Sequence, residues 1–149
     1  MNTVEDTKEE WRELGFHYHR NDKEKFWFIT GSKDGLLKFA NILDEFANNP
    51  RNNKLFEHNH YGPYSYLKIM TVLEEKGFDE NAIFGEPKDI VELSNIVKDF
   101  AEHGVVGETQ YLGDHYSPSS DYDFILKIEN DSFDPPSIDE WVIEQDKKN

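Results

Sequence analysis

The sequence predicts an α+β fold in which a mixed or antiparallel sheet carries two amphipathic helices on one face. Three observations lead there. Short alternating or aromatic-rich runs occupy 15–20, 25–30 and 64–70; apolar residues recur at helical spacing after Ser32 and again after Pro87; and the second half of the chain repeats the order of the first.

GFHYHR at 15–20, the polar turn Asn21-Asp22-Lys23-Glu24 and KFWFIT at 25–30 read as a β-hairpin. Gly31-Ser32 ends the second strand, and the Ser32 hydroxyl is suited to cap a helix. Leu36, Phe39, Ala40, Leu43, Phe46 and Ala47 then recur every three or four residues, which puts them on one helical face. That helix stops near Asn48-Asn49-Pro50. EHNHYGP at 57–63 reads as a loop feeding a strand, YSYLKIM at 64–70, rich in aromatic and β-branched residues.

A shift of 54 residues lays Gly31 on Gly85, Phe39 on Leu93, Asn41-Ile42-Leu43 on Asn95-Ile96-Val97, and Phe46-Ala47 on Phe100-Ala101. With small changes of offset, His60-Tyr61-Gly62-Pro63 falls on His115-Tyr116-Ser117-Pro118, and Leu67-Lys68-Ile69 on Leu126-Lys127-Ile128. The chain is thus expected to duplicate a β-α-β-β unit, in halves at about 25–70 and 81–129, within a single domain spanning 1–149. Pro87 suits the first turn of the second helix, where its missing N–H is not needed, and that helix is expected to end at His103-Gly104. Two sheets in separate layers are the alternative to one. The acidic C-terminal segment, 130–149, shows no clear period, yet Phe133, Ile138, Trp141, Val142 and Ile143 are too apolar for an idle tail, so it is expected to dock.

Charge narrows the partners. With 31 acidic and 16 basic residues the chain carries −15, which repels nucleic acid and anionic membranes; its complement is a basic protein, a metal cation, or nothing at all, since excess acid also keeps a protein soluble. No apolar run is long enough to span a bilayer and the N-terminus is acidic, so a soluble, cytoplasmic protein is expected. The absence of cysteine excludes disulfides, thiolate metal sites and cysteine nucleophiles.

Two His-x-His pairs, His17/His19 and His58/His60, raise the alternative of a metal-binding or regulatory protein, since residues two apart on a strand share a face. Four histidines from distant segments would have to converge, so a turn-capping or stacking role is favoured and no cofactor is expected. The sequence has no nucleophile elbow, no phosphate-cradling glycine loop and no His-Glu-x-x-His helix, and the chain is not expected to be an enzyme. The repeated His-Tyr-x-Pro reads as a structural turn, with His60 and His115 as framework; Glu57 and His58 lack an echo and are the specialised part.

The runs GSKDGLLKFANILDEFANNPRN, EHNHYGPYSYLKIMT and SFDPPSIDEW resemble a family of small immunity proteins of bacterial polymorphic toxin and contact-dependent growth inhibition systems. The likeness covers most of 11–141, and EHxHYGPYxYLKI is its most specific part. It implies an antidote that binds a cognate toxin domain and blocks its active site or substrate surface. Toxins of this kind are often nucleases, whose basic surfaces would complement an acidic inhibitor.

Few interface residues carry most binding energy, and an aromatic anchor within an acidic surround is the expected pattern. From Asp121 to Asp146 there are nine carboxylates and one lysine. Asp121, Asp123, Asp131, Asp134, Asp139 and Glu140, with Trp141 as anchor, are therefore the first candidates for binding the partner. Glu57, His58 and Tyr64, in and beside the Tyr61–Tyr66 loop, are the second.

Overall fold

The computed structural model describes residues 3–148; Met1, Asn2 and Asn149, which the single-domain expectation includes, lie outside the described residues. The architecture is α+β, with two mixed four-stranded sheets, so the strands divide into the two-sheet alternative rather than one sheet. One sheet has the order β1 (His17–Asn21), β2 (Phe26–Gly31), β8 (Asp123–Ile128), β7 (Thr109–Tyr111). The other has the order β3 (His58–Tyr61), β4 (Leu67–Thr71), β6 (Ile83–Gly85), β5 (Gly77–Phe78).

Each sheet pairs a hairpin from one half with a hairpin from the other. The inner strands run parallel, β2 beside β8 and β4 beside β6, and every outer strand is antiparallel to its neighbour. The repeating unit is therefore β-β-α-β-β, one strand longer than the sequence pattern suggests, and neither unit completes a sheet by itself. This interlocking explains why most of the buried apolar side chains form one continuous cluster.

Helix α2 (Lys33–Asn48) starts as expected, with Ser32 Oγ accepting from the Gly35 amide at 3.1 Å, and it buries all six residues of its predicted face. Helix α3 (Pro87–His103) opens on Pro87, and Asp89 Oδ2 accepts from the Glu86 amide at 3.0 Å. The two helices meet at equivalent positions: Ser94 donates to the Ala40 carbonyl (3.0 Å), and Lys98 pairs with Asp44 (2.6 Å). Residues 54 apart touch their own equivalents only where an approximate twofold axis passes. Beneath the helices, the ring of Phe39 stacks on Phe124 (5.8 Å, 2°), which in turn lies 4.8 Å from Phe78 of the other sheet. One aromatic column thus ties a helix to both sheets, and such rings contribute about 0.5–1.5 kcal/mol per pair beyond their buried area.

The backbone corrects the register of the repeat beyond the helices. Phe56 N–H bonds the Thr71 carbonyl, Thr71 N–H the Glu57 carbonyl, and Val72 N–H the Gly85 carbonyl; the second unit makes the same three bonds with Gly107–Ile128, Ile128–Glu108 and Glu129–Gly31. Glu57 therefore matches Glu108, His60 matches Tyr111, Gly62 matches Gly113, and Ile69 matches Leu126. The Leu-Lys-Ile alignment was off by two, a slip that alternation hides because it keeps each side chain on its face.

The His-Tyr-x-Pro echo is a coincidence of letters. His60 and Tyr61 belong to strand β3, not to a loop, whereas His115 and Tyr116 lie in the short helix α4 (Gly113–Tyr116). Glu57, for its part, does have a counterpart.

Two helices outside the repeat close the molecule. Helix α1 (Val4–Leu14) is capped by Thr3 and Asp6, each side chain accepting from the other's amide, and it buries Trp11. The C-terminal segment docks on it through a turn of 3-10 helix at Pro135–Ile138 and helix α5 (Glu140–Lys147). Among the described residues no helix is long and apolar enough to cross a membrane.

Candidate functional site

The two sequence candidates, the C-terminal acidic segment and the Tyr61–Tyr66 loop, meet in one cleft. Its volume is about 480 Å³, and Trp11, His17, Tyr18, Tyr64, Tyr66, Ile138, Asp139 and Glu140 line it with the side of the β1–β2 hairpin. At its floor lies Asp139, only 6% exposed. Oδ2 of Asp139 accepts from Trp11 Nε1 (2.7 Å) and from the Tyr64 hydroxyl (2.6 Å), while Oδ1 accepts from the Trp141 and Val142 amides and so caps α5. One carboxylate thus joins α1, the Tyr64 loop and α5.

The loop that presents Tyr64 is strained. Gly62 (φ 76°) takes the left-handed region freely, and a Cβ there would lie 2.5 Å from the Tyr18 ring. Tyr64 (φ 67°) and Ser65 (φ 55°) hold the same region without that freedom, at a cost of roughly 1–2 kcal/mol each. The surroundings over-determine the turn: the Tyr18 hydroxyl donates to the Pro63 carbonyl, Ser65 N–H to the Gly62 carbonyl (3.1 Å), and His60 Nδ1 to the Ser65 carbonyl (3.0 Å). Strain of this kind gathers where function constrains the backbone.

The exposed side of the cleft is aromatic. Tyr66 is 65% exposed, Tyr64 43% and Trp141 40%. Tyr64 lies 5.7 Å from Tyr66 and meets Trp141 edge-on at 6.5 Å. Beneath them His17 stacks on Trp11 at 4.5 Å. Burial pushes the His17 pKa down to about 4, against the attraction of Asp139, so the imidazole is neutral at pH 7. Burial, and the bond to Asp139, push the Tyr64 phenol well above its ordinary value, so it remains a donor.

The other candidates lie apart. Asp134 forms a two-pronged pair with Arg12 (3.0 and 3.1 Å), fastening the segment to α1, as Asp146 does through Lys8 (3.0 Å). Asp123 serves the second unit, accepting from the Gly113 and Phe124 amides. Asp121 and Asp131 are exposed outside the cleft. Glu57 sits 3.9 Å from Arg51, and His58 meets His60 edge-on at 5.2 Å, both on the edge of the β3–β4 sheet. The two His-x-His pairs stand on different sheets, and among the described residues no group of three or more metal-ligating side chains assembles.

Sequence reasoning missed Trp11, the centre of the cleft. Thr3-Val4-Glu5-Asp6 ahead of Trp11 and Leu14 is a capping-box signature that would have flagged α1. Comparison with models of protein families, with curated proteins and with solved structures finds no match.

Proposed function

We propose that this protein is an immunity protein, an antidote that binds and neutralises a cognate bacterial toxin domain in the cytoplasm. The observation that carries the reading is the cleft and its rim: Tyr64 and Tyr66, presented by a strained turn, with Trp141 of α5 edge-on to Tyr64, all three substantially exposed. Exposed aromatics on a rigid support are the usual anchors of a protein interface. The charge of −15 supports a basic partner, because opposite charge speeds encounter and disfavours wrong partners. The resemblance in 11–141 supports the toxin-system setting. A basic nuclease domain fits both, its active site or substrate surface being the part covered.

The test is co-expression with the toxin domain encoded beside this chain. Growth rescue together with a purified complex is the expected result. A toxin that still kills, with no complex formed, refutes the reading.

The two His-x-His pairs behind the metal-binding alternative stand on different sheets, so that reading is not the one proposed.

A further inference from the structure

We propose that the cleft is a cation-recognition site that takes an arginine side chain of the protein partner against the exposed rings of Tyr66 and Tyr64, above the Asp139 carboxylate and beside Glu140. The inference rests on the protein-binding reading and names the chemistry of its anchor.

The floor of the cleft carries a carboxylate that no cation among the described residues pairs with. Asp139 is buried and its four donors, two amides, an indole and a phenol, are all neutral. It forms no ion pair among the described residues, and the imidazole that feels its field, His17, is uncharged at neutral pH. Buried charges are ordinarily paired. The cation that lines the cleft from this chain, Arg20, is engaged by Asp22 (2.8 Å) and by the Glu80 carbonyl. Four donors saturate Asp139, so it acts on an incoming cation through space, while the exposed Glu140 offers a carboxylate for direct bonds.

The walls suit the same ligand. Aromatic faces attract cations, and a guanidinium, being planar and weakly hydrated, stacks on them better than an ammonium. The chain supplies its own example at one end of the cleft, where the Arg20 guanidinium lies 5.8 Å from the centre of the Trp27 ring. A volume of about 480 Å³ accommodates a long side chain with water. A buried aromatic or aliphatic anchor would satisfy the walls but leave the charge beneath it uncompensated and further desolvated.

The experiment titrates the isotopically labelled full-length chain with N-acetyl-arginine amide and with its neutral isostere N-acetyl-citrulline amide, following the Trp11 indole N–H resonance. Because Trp11 Nε1 donates to Asp139, this signal reads the floor of the cleft. Saturable movement with the arginine compound and none with citrulline is expected. The exposed variants Tyr66→Ala and Glu140→Gln, which leave the Asp139 bonds intact, are expected to weaken binding by about 2- to 30-fold and a few-fold respectively. Equal response to both compounds, no response to either at millimolar concentration, or no loss in Tyr66→Ala overturns the proposal. Arginine binding without a toxin complex would leave the site standing and sink the antidote reading. A toxin complex that forms equally with Tyr66→Ala would do the reverse.

Discussion

The same turn occurs twice in this molecule and is held in two different ways. In the second unit, residues 113–116 wind into the short helix α4; Tyr116 turns inward, 2% exposed, and donates to the Phe84 carbonyl of its own unit. In the first unit, the matching residues 62–65 include strained left-handed angles at Tyr64 and Ser65, and Tyr64 reaches out of the unit to Asp139 and Trp11. The relaxed copy serves the core. The strained copy gathers the two terminal helices and leaves aromatic faces in solvent, so the two copies differ in what their turns hold and in what they expose.

The sharpest way to break this contrast is at the carboxylates that hold the two turns. Asp139→Ala strands a buried indole N–H and removes the cap of α5, and is expected to cost roughly 3 kcal/mol. Asp123→Ala strips only backbone partners in the second unit, with a cost of roughly 1 kcal/mol. Chemical denaturation of the two variants measures both. Equal losses would mean that the first turn is not specially dependent on its outside partner.

Acid should loosen the first site through His17. The folded pKa is about 4 against 6.5 for the free side chain, so the unfolded chain binds the extra proton. Stability is full above pH 6.5 and falls as pH drops towards 4, by at most about 1.4 kcal/mol per pH unit from this group. His17→Phe keeps the stack on Trp11 and is expected to flatten that part of the pH–stability curve. Superimposable slopes for the two proteins would show that His17 is not buried as described.

The smallest effect should be a gain. Ser65→Gly relieves the left-handed strain at φ 55° and is expected to stabilise by about 0.5–1 kcal/mol in thermal melts. Tyr116→Gly at the matching helical position removes a buried ring and a hydrogen bond, and is expected to destabilise by about 3 kcal/mol or more. A loss in Ser65→Gly would mean that the serine side chain, and not the backbone, sets the turn.

Much of the fold was legible in the residues. Helical periodicity placed α2 and α3 and their buried faces, because six apolar positions in register admit few alternatives. The duplication was visible where it is buried, in the helices, and misread where it is exposed. In β3, β7 and the turns after them, surface residues are free to differ, and the chance recurrence of His, Tyr and Pro outweighed the true match of Glu57 with Glu108.

Of the candidate site, the sequence showed some residues and not their arrangement. Tyr64, Asp139, Glu140 and Trp141 were singled out by aromatic and acidic clustering, yet most other acids of the segment are exposed outside the cleft or tied down, Asp134 by Arg12 and Asp146 by Lys8. Sequence shows charge but not which charges are already paired across 122 residues of chain. Trp11 could not be placed opposite Asp139 without knowing that the two ends of the chain meet.

The most direct measurement is titration calorimetry of the proposed partner, a toxin domain encoded beside this chain, against three forms of it: wild type, Tyr66→Ala in the strained unit, and Tyr111→Ala, another exposed ring in the relaxed one. Tight binding by wild type and Tyr111→Ala, with Tyr66→Ala weakened about tenfold, is the predicted result. Absence of wild-type binding, or weakening by Tyr111→Ala and not by Tyr66→Ala, would contradict the account.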